Sequence, residues 1–366
     1  MWWLFKWSWR FIMSEFKVNT ITNRDGSYGP QVCGITTFGG SGMQLPTGPT
    51  EFRGGRGRGI IYLNSAPTTK TLNKFEIATT GNATDFGDSM VSKTLPGVCA
   101  SSTRGIFSGG QPSASPYYIT DIEYVITSSG GGANDFGDLT KGRLESIDAR
   151  RGSSAGSNDS TRGLIAGGNT PGDGGARKTI DFITMASTGD SSAFGELVQE
   201  RFDFMGGMGN GVRAVFAGGY KQTSPAATFY KMIDTVNVQS GGSATQFGEL
   251  SATRGRTTNT SNSIRGLNMG GGPGPAARTN TIEFITLSTE GNAQDFGDLA
   301  AAVLSVASCA SNTRAVQLGG SVPSGATNTM QFVTISTTGN ATDFGDMTVA
   351  LTGHAAISDV NGGLAQ

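Results

Sequence analysis

Six arginines and six carboxylates recur at fixed places in this 366-residue chain, and they are the residues whose spacing most resembles a site. Arg58, Arg104, Arg162, Arg213, Arg265 and Arg314 each open a short hydrophobic stretch, and Asp88, Asp138, Glu196, Glu249, Asp298 and Asp346 each close a Phe-Gly-acid phrase. A ring of guanidinium groups would bind anions, and a ring of carboxylates would bind cations. The same residues paired through planar fork geometry would instead stitch strands or blades together. Repetition favours the stitch, because a site used once needs no six copies. Other chemistry is thin. His354 is the only histidine, so serine and cysteine triads have one candidate base at most, and its small-residue surroundings read as a packed strand. Cys33, Cys99 and Cys309 give no disulfide framework and read as free thiols of a reducing cytoplasm. No His/Cys cluster has metal-ligand spacing. The string "GGGPGP" (Gly270–Pro275) lacks the Lys-Ser/Thr of a phosphate loop and reads as a turn. No cofactor is expected. Glycoside hydrolysis needs only two acids at a suitable distance, so carboxylate chemistry stays open.

The elements that position these residues follow from composition. Glycine numbers 57 and charged residues are 15% of the chain. Gly, Ser and Thr are poor helix-interior residues, and this balance suits many short strands joined by tight turns. The formal net charge of −1 gives no reason to expect nucleic acid or a membrane surface as partner. Residues 1–13, "MWWLFKWSWRFIM", hold all four tryptophans and are foreign to the rest. Lys6 and Arg10 interrupt the apolar run, so it reads neither as a signal peptide nor as a membrane span. It is either an upstream extension, with Met13 as the natural start, or an anchor peptide that packs on a partner or membrane interface.

The phrase "TTGNATDFGD" occurs twice, at 79–88 and 337–346, and belongs to a longer period. Its phenylalanine recurs at Phe86, Phe136, Phe194, Phe247, Phe296 and Phe344. Spacings of roughly 50 residues are those of solenoids, propellers or arrays. Each unit reads as a strand closing on a Gly pair ("TRGIFSGG"), a variable loop, a strand ("TIEFITL"), a Gly-containing turn, the DFGD strand, and a small-residue fourth strand ("SVASCASN"). A Gly-Asn turn between extended segments suits a tight hairpin. One such sheet leaves both faces bare, whereas sheets arranged radially cover one another. Six phenylalanines therefore predict an all-β, six-bladed propeller with four antiparallel strands per blade, each Phe contributing roughly 1.5–3 kcal/mol if buried between blades.

The order Arg-Gly-hydrophobic, Gly-Gly, strand, turn, aromatic and small residues resembles the kelch repeat, with Phe standing where kelch repeats usually carry Trp. The resemblance runs from about Arg58 to Gln366. It implies a ring closed by strands from both termini: "GRGIIYL" (Gly57–Leu63) lacks its small-residue strand, and "LTGHAAISD" (Leu351–Asp359) matches the missing piece. Kelch-related galactose oxidases use two histidines for copper, which this chain cannot supply. Six-bladed sialidases use an arginine trio with Asp boxes, and no Asp box is visible.

Residues 14–59 read as a separate β-rich segment, with a strand over Lys17–Thr22, a turn at Asp25-Gly26, a strand around Val32–Phe38 and a Gly/Pro-rich linker; the propeller is expected over 60–366. "KVNTITNRDGSYGP" resembles the starts of tail-fibre and other virion proteins of tailed bacteriophages, and the TGNATDFGD repeats resemble structural proteins of phages of marine cyanobacteria. That resemblance implies a non-enzymatic virion protein, a fibre or a surface decoration assembled in the host cytoplasm. Residues 14–59 would dock to other virion proteins or form a homotrimer, and the propeller would be displayed towards host-surface glycan or protein. The loops after each Gly pair differ greatly and would emerge on one face, the pattern of a binding surface. Tyr117, Tyr118, Tyr220, Phe229 and Tyr230, with Arg177 and Arg278, are the candidate contacts; the alternative is that the rings merely cover blade edges. A cellular kelch-type scaffold or lectin and a carboxylate-using carbohydrate enzyme are the competing readings.

Overall fold

A computed structural model describes residues 38–39, 42–43, 57–63, 70–112, 119–140, 161–170, 175–222 and 226–360. The chain divides into two compact units, Met1–Pro49 and Thr50–Gln366. In the first, Phe38–Gly39 pairs antiparallel with Gly42–Met43. The strand expected at Lys17–Thr22, the Asp25-Gly26 turn and the Trp-rich leader lie outside the described residues.

The second unit is a six-bladed β-propeller whose described residues contain no helix. Blade 1 runs Ala355–Ser358, Arg58–Tyr62, Thr71–Glu76, Thr84–Asp88 from axis to rim. Blade 2 runs Gly97–Ala100, Arg104–Ser108, Asp121–Ile126, Asn134–Asp138. Blade 3 shows Arg162–Ala166, Thr179–Thr184 and Ser192–Glu196 among the described residues. Blade 4 runs Met208–Gly209, Arg213–Ala217, Met232–Asn237, Thr245–Glu249. Blade 5 runs Thr257–Ser261, Arg265–Met269, Thr279–Thr286, Gln294–Val303, and blade 6 runs Ala307–Ala310, Arg314–Val322, Gly325–Thr334, Thr342–Leu351. The C-terminal strand closes blade 1, pairing Ile60 with Ile357 and Ile61 with Ala356. The ring begins at Arg58, two residues before the expected boundary. The small-residue stretch does not complete the unit before it. Ala307–Ala310 pairs with Arg314–Val322, so it opens the next sheet, because only a short turn separates it from the following arginine.

The recurring Phe sits on a β-bulge in every blade. In blade 5, Ile282 pairs with Gly297 and Glu283 with Asp295, which leaves Phe296 unpaired between them. The same skip leaves Phe86, Phe136, Phe194, Phe247 and Phe344 out of their ladders. A bulge bends the strand and frees one backbone group from the sheet. Here the freed carbonyl turns to the next blade: Gly339 N donates to Phe296 O at 2.7 Å and Ala341 N to Asp298 O at 2.8 Å. In return Asn340 Oδ1 accepts from Asp298 N at 3.0 Å. Gly297 has φ +144, and a Cβ there would collide with the carbonyl of Gly339, so sterics and dihedral both demand glycine. Ring closure uses the two identical phrases against each other. Gly81 N donates to Phe344 O and Ala83 N to Asp346 O, while Asn82 Oδ1 accepts from Asp346 N.

Apolar burial follows the same joints. Phe86 packs with Phe107 and Val125 of blade 2, Phe136 with Ile165 and Ile183 of blade 3, and Phe247 with Ile285 and Leu287 of blade 5. Phe296 meets Val333 and Ile335 of blade 6, and Phe344 meets Phe75 and Ile77 of blade 1. Phe194 joins the blade 3–blade 4 cluster but is only partly buried.

The arginines hold blades together without the expected carboxylates. Arg265 Nη1 donates to the carbonyls of Ile335 and Ser336, Arg213 to Leu287 and Ser288, Arg162 to Val238 and Gln239, and Arg314 to Ile77 and Ala78. Arg104 reaches Met185 O and Arg58 reaches Thr127 O. Each thus grips the third-to-fourth strand turn of the following blade. Arg104, Arg162, Arg265 and Arg314 also lie over an aromatic ring of their own blade, at 4.6–5.7 Å. Turn carbonyls win because the strand carrying the acids ends on the opposite face of the ring. Asp298 is exposed there.

A second set of inter-blade joints is polar and buried. One residue of every third strand, the one paired just after the bulge, is polar and buried: Asn73, Glu123, Asp181, Asp234, Glu283 and Gln331. Glu123, Asp234, Glu283 and Gln331 accept the backbone N–H two residues beyond the preceding blade's rim carboxylate, from Met90, Val198, Ser251 and Ala300. Asp181 accepts from Thr140 Oγ1, and Asn73 donates to Thr348 Oγ1. Three of the acids carry buried cations: Lys93 at 2.9 Å from Glu123, Arg201 at 3.1 Å from Asp234 and Arg254 at 3.0 Å from Glu283. Burial pulls the Arg201 and Arg254 guanidinium pKa down and pushes the Asp234 carboxyl up, each countered by its partner.

These joints give two expectations for chemical denaturation. Gly297→Ala lowers unfolding free energy by about 2–4 kcal/mol through strain and collision, whereas Asp298→Ala changes it by less than about 0.5 kcal/mol; equal losses would disprove the bulge account. Glu283→Ala costs about 3–5 kcal/mol because it strands Arg254. The pair Arg254→Met with Glu283→Gln restores most of that loss, since Gln331 already makes the same backbone contact as an amide.

Candidate binding face

Antiparallel alternation sorts the connections onto two faces. One carries the Gly-Asn turns, held down by the arginines and by the neighbouring blade. The other carries the loops after the Gly pairs and the links that run inward to each next blade. The links share a backbone device. Leu95, Asp203, Arg256 and Ser305 have φ of 53, 63, 57 and 53° and are the non-glycine residues with positive φ among those described. Their amides form a chain, Leu95 N to Gly353 O, Gly353 N to Ser305 O, Ser305 N to Arg256 O and Arg256 N to Asp203 O, at 2.7–3.1 Å. A collar of tangential hydrogen bonds therefore rims the loop-face mouth of the axis.

Among the described residues, the inner strands enclose one small space. The space between the inner strands, lined by Cys99, Asn259, Ser261, Ser308, Cys309 and Ser358 among others, measures about 50 Å³. That space is well below the roughly 300 Å³ that small-molecule sites need. Cys99 and Cys309 occupy equivalent slots, opposite Ile106 and Val316, in blades 2 and 6 with blade 1 between them. Both are buried, and burial alone pushes the Cys99 thiol up to about 12, so it is inert packing.

The candidate contact residues divide. Tyr117 and Tyr118 lie outside the described residues. Tyr220 is buried, 5% exposed, between Phe202 at 4.3 Å and Phe229 at 5.0 Å, with Arg256 over its ring. It serves as the core of a satellite cluster with Ala176, and its ring is not presented to a ligand. Gly255 makes the cluster possible, since a Cβ there would press on both Tyr220 and Phe229. Phe229 and Tyr230 are half-buried on the same hairpin, with Tyr230 N bonded to Gly219 O. Arg177 is half-buried, its amide on Gly168 O. Arg278 reaches to blade 6, donating from Nε to Ser321 O and from Nη2 to Ser321 Oγ. Blades 3 to 5 thus bring Arg177, Phe229, Tyr230 and Arg278 to one face, with Tyr220 buried in the cluster that includes Phe229.

Blade 2 adds a further feature at the loop-face end of its strands. Asp121 and Asp138 lie directly opposite each other on adjacent strands of blade 2. Partial burial raises the Asp121 pKa, Lys93 tempers it, and Asp138, Glu123 and Asp135 push it further. The readable signal was an acid opening the third strand of blade 2, where blades 1, 3, 5 and 6 carry threonine. Among the described residues no three His, Cys, Asp or Glu side chains are grouped to hold a metal ion. No protein-family model matches the chain, and no curated protein matches it.

The burial difference gives a direct test. Tyr220→Ala loses about 3 kcal/mol in urea unfolding, while Tyr230→Ala stays within about 1 kcal/mol. The reverse order would place Tyr230 in the core and return Tyr220 to the surface.

Proposed function

We propose that this protein is a non-enzymatic structural component of a tailed-phage virion, a fibre or surface decoration, whose propeller binds host-surface glycan or protein through its loop face. The observation that carries the binding part is the contrast between the two faces. One is closed by six copies of the same turn, each clamped to its neighbour. The other carries the loops that leave five equivalent Gly-pair exits, and these differ in sequence and in length. A rigid ring with one variable face lowers the ordering cost of binding a broad surface. The virion part rests on the resemblance of "KVNTITNRDGSYGP" and of the TGNATDFGD repeats to phage structural proteins.

The Asp121–Asp138 pair favours a second reading, in which a carboxyl with a raised pKa donates a proton to a glycosidic oxygen and its partner acts as base or nucleophile. Two measurements separate them. Mass spectrometry of purified particles is expected to find this chain at stoichiometric copy number; its absence would remove the virion assignment. Incubation with host polysaccharide is expected to give retention without product. Released oligosaccharide, lost in Asp121→Asn, would replace the leading reading with the enzymatic one.

A further inference from the structure

The ring is closed by one short strand, and a single buried imidazole fixes it. His354 immediately precedes Ala355–Ser358, which pairs in blade 1, yet its ring is inserted into blade 6. It is fully buried, with Nε2 3.0 Å from Leu318 O. A Cβ on Gly319 would touch the imidazole, so the second strand of blade 6 lies directly against the ring. With Leu318 O as acceptor, Nε2 carries the proton and Nδ1 is bare; Nδ1 has no hydrogen-bond partner. The residue before it, Gly353, belongs to the collar, and Asp359 beyond the strand accepts from Arg58 N. His354 is the only histidine in the chain.

We propose that His354 is an acid-sensitive pin of the ring closure: taking up a proton, it leaves blade 6 and withdraws the closing strand from blade 1 while the other blades remain folded. A proton on Nδ1 would add a charge and a second N–H in a fully buried pocket that offers Nδ1 no protein acceptor, so protonation favours the ring out in solvent. No neighbouring charge offsets this. The strands of blade 6 carry Arg314, Asp343 and Asp346 as their charged residues. Arg314 is bound to Ile77 and Ala78 on the other face, and the two aspartates are exposed on the rim. The links Val303–Val306 and Met347–Gly353 contain no charge. Burial accordingly lowers the imidazole to about 4, with only the Leu318 carbonyl opposing it.

The sign follows. A pKa lower in the closed state than in the open state means that closure is fully favoured above the open value of about 6.5 and weakens as pH falls towards 4. Between pH 7.5 and 5 the opening constant of the closing strand should rise roughly 30-fold. Hydrogen–deuterium exchange with mass spectrometry on the full chain, corrected for the intrinsic pH dependence of exchange, reads it directly. Peptides spanning 353–360 should show the rise, while the third strands of blades 2, 4 and 5 change far less. His354→Gln keeps a donor for Leu318 O but cannot titrate, and its closing strand should be flat over this range. An equal rise in the variant, no rise in the wild type, or a rise in step across all blades would each overturn the proposal. If the variant does not fold, imidazole C2–H exchange of the wild type supplies the same answer: a midpoint near 4 supports the pin, and one near 6.5 excludes it.

Discussion

The fold depends on one repeated backbone contact, the bulged Phe carbonyl of one rim strand accepting the turn Gly of the next blade. A propeller has two difficulties: its sheets are bare on both faces, and their outer strands present open edges. The bulge addresses both. Skipping Phe296 in the ladder turns its ring into the next blade's apolar face and its carbonyl onto the next blade's turn. The following Asp298 amide, otherwise an open edge donor, is capped by Asn340. Gly297 is the geometric requirement, because the two backbones approach within the radius of a methyl group. Since the donor and acceptor halves of the joint sit in one ten-residue phrase, duplicating the phrase duplicates the joint. That is why the two letter-perfect copies, at opposite ends of the chain, face each other at closure.

Around this joint the polar contacts are graded by burial. The arginines lie near the surface, donate to turn carbonyls and stack on rings, a setting in which single ion pairs would contribute little. Deeper in, four of the third-strand acids and amides accept a backbone N–H from the blade before, Asp181 accepts from the Thr140 hydroxyl and Asn73 donates to Thr348 Oγ1. Where a cation is available from the link, as with Lys93, Arg201 and Arg254, the buried group is an acid; in blades 1 and 6 the position holds the neutral Asn73, a donor, or Gln331, an acceptor. This matching keeps uncompensated charge out of the interior, where it would cost far more than the bond returns.

The two faces consequently have different freedoms. On the turn face, the turn glycine and the recurring arginine are tied to a neighbour's backbone. On the loop face, the demand ends at the collar of left-handed link residues. Beyond the Gly pairs, loop length is constrained only by local supports such as the Tyr220–Phe229 stack and the Arg278 reach to Ser321. Binding is proposed for that face because it alone can vary without loosening the ring.

The sequence by itself determined the number of blades, the strand type and the closure by the C-terminal stretch. These follow from period, composition and the missing small-residue strand of the first unit, all local or countable. It also marked the recurring arginines as structural, but paired them with the wrong partner: sequence order places Arg265 and Asp298 in one unit, whereas strand direction sends them to opposite faces. Tyr220 read as a surface ring, because burial by Phe202 and Phe229 depends on a link and a hairpin meeting in space. The polar joints were visible as one hydrophilic position in each third strand, yet their meaning lay in a backbone N–H some 30 residues away. Only the tertiary structure decided these matters, since partners, bulge register and exposure are set by how each blade's twist presents its faces to the next.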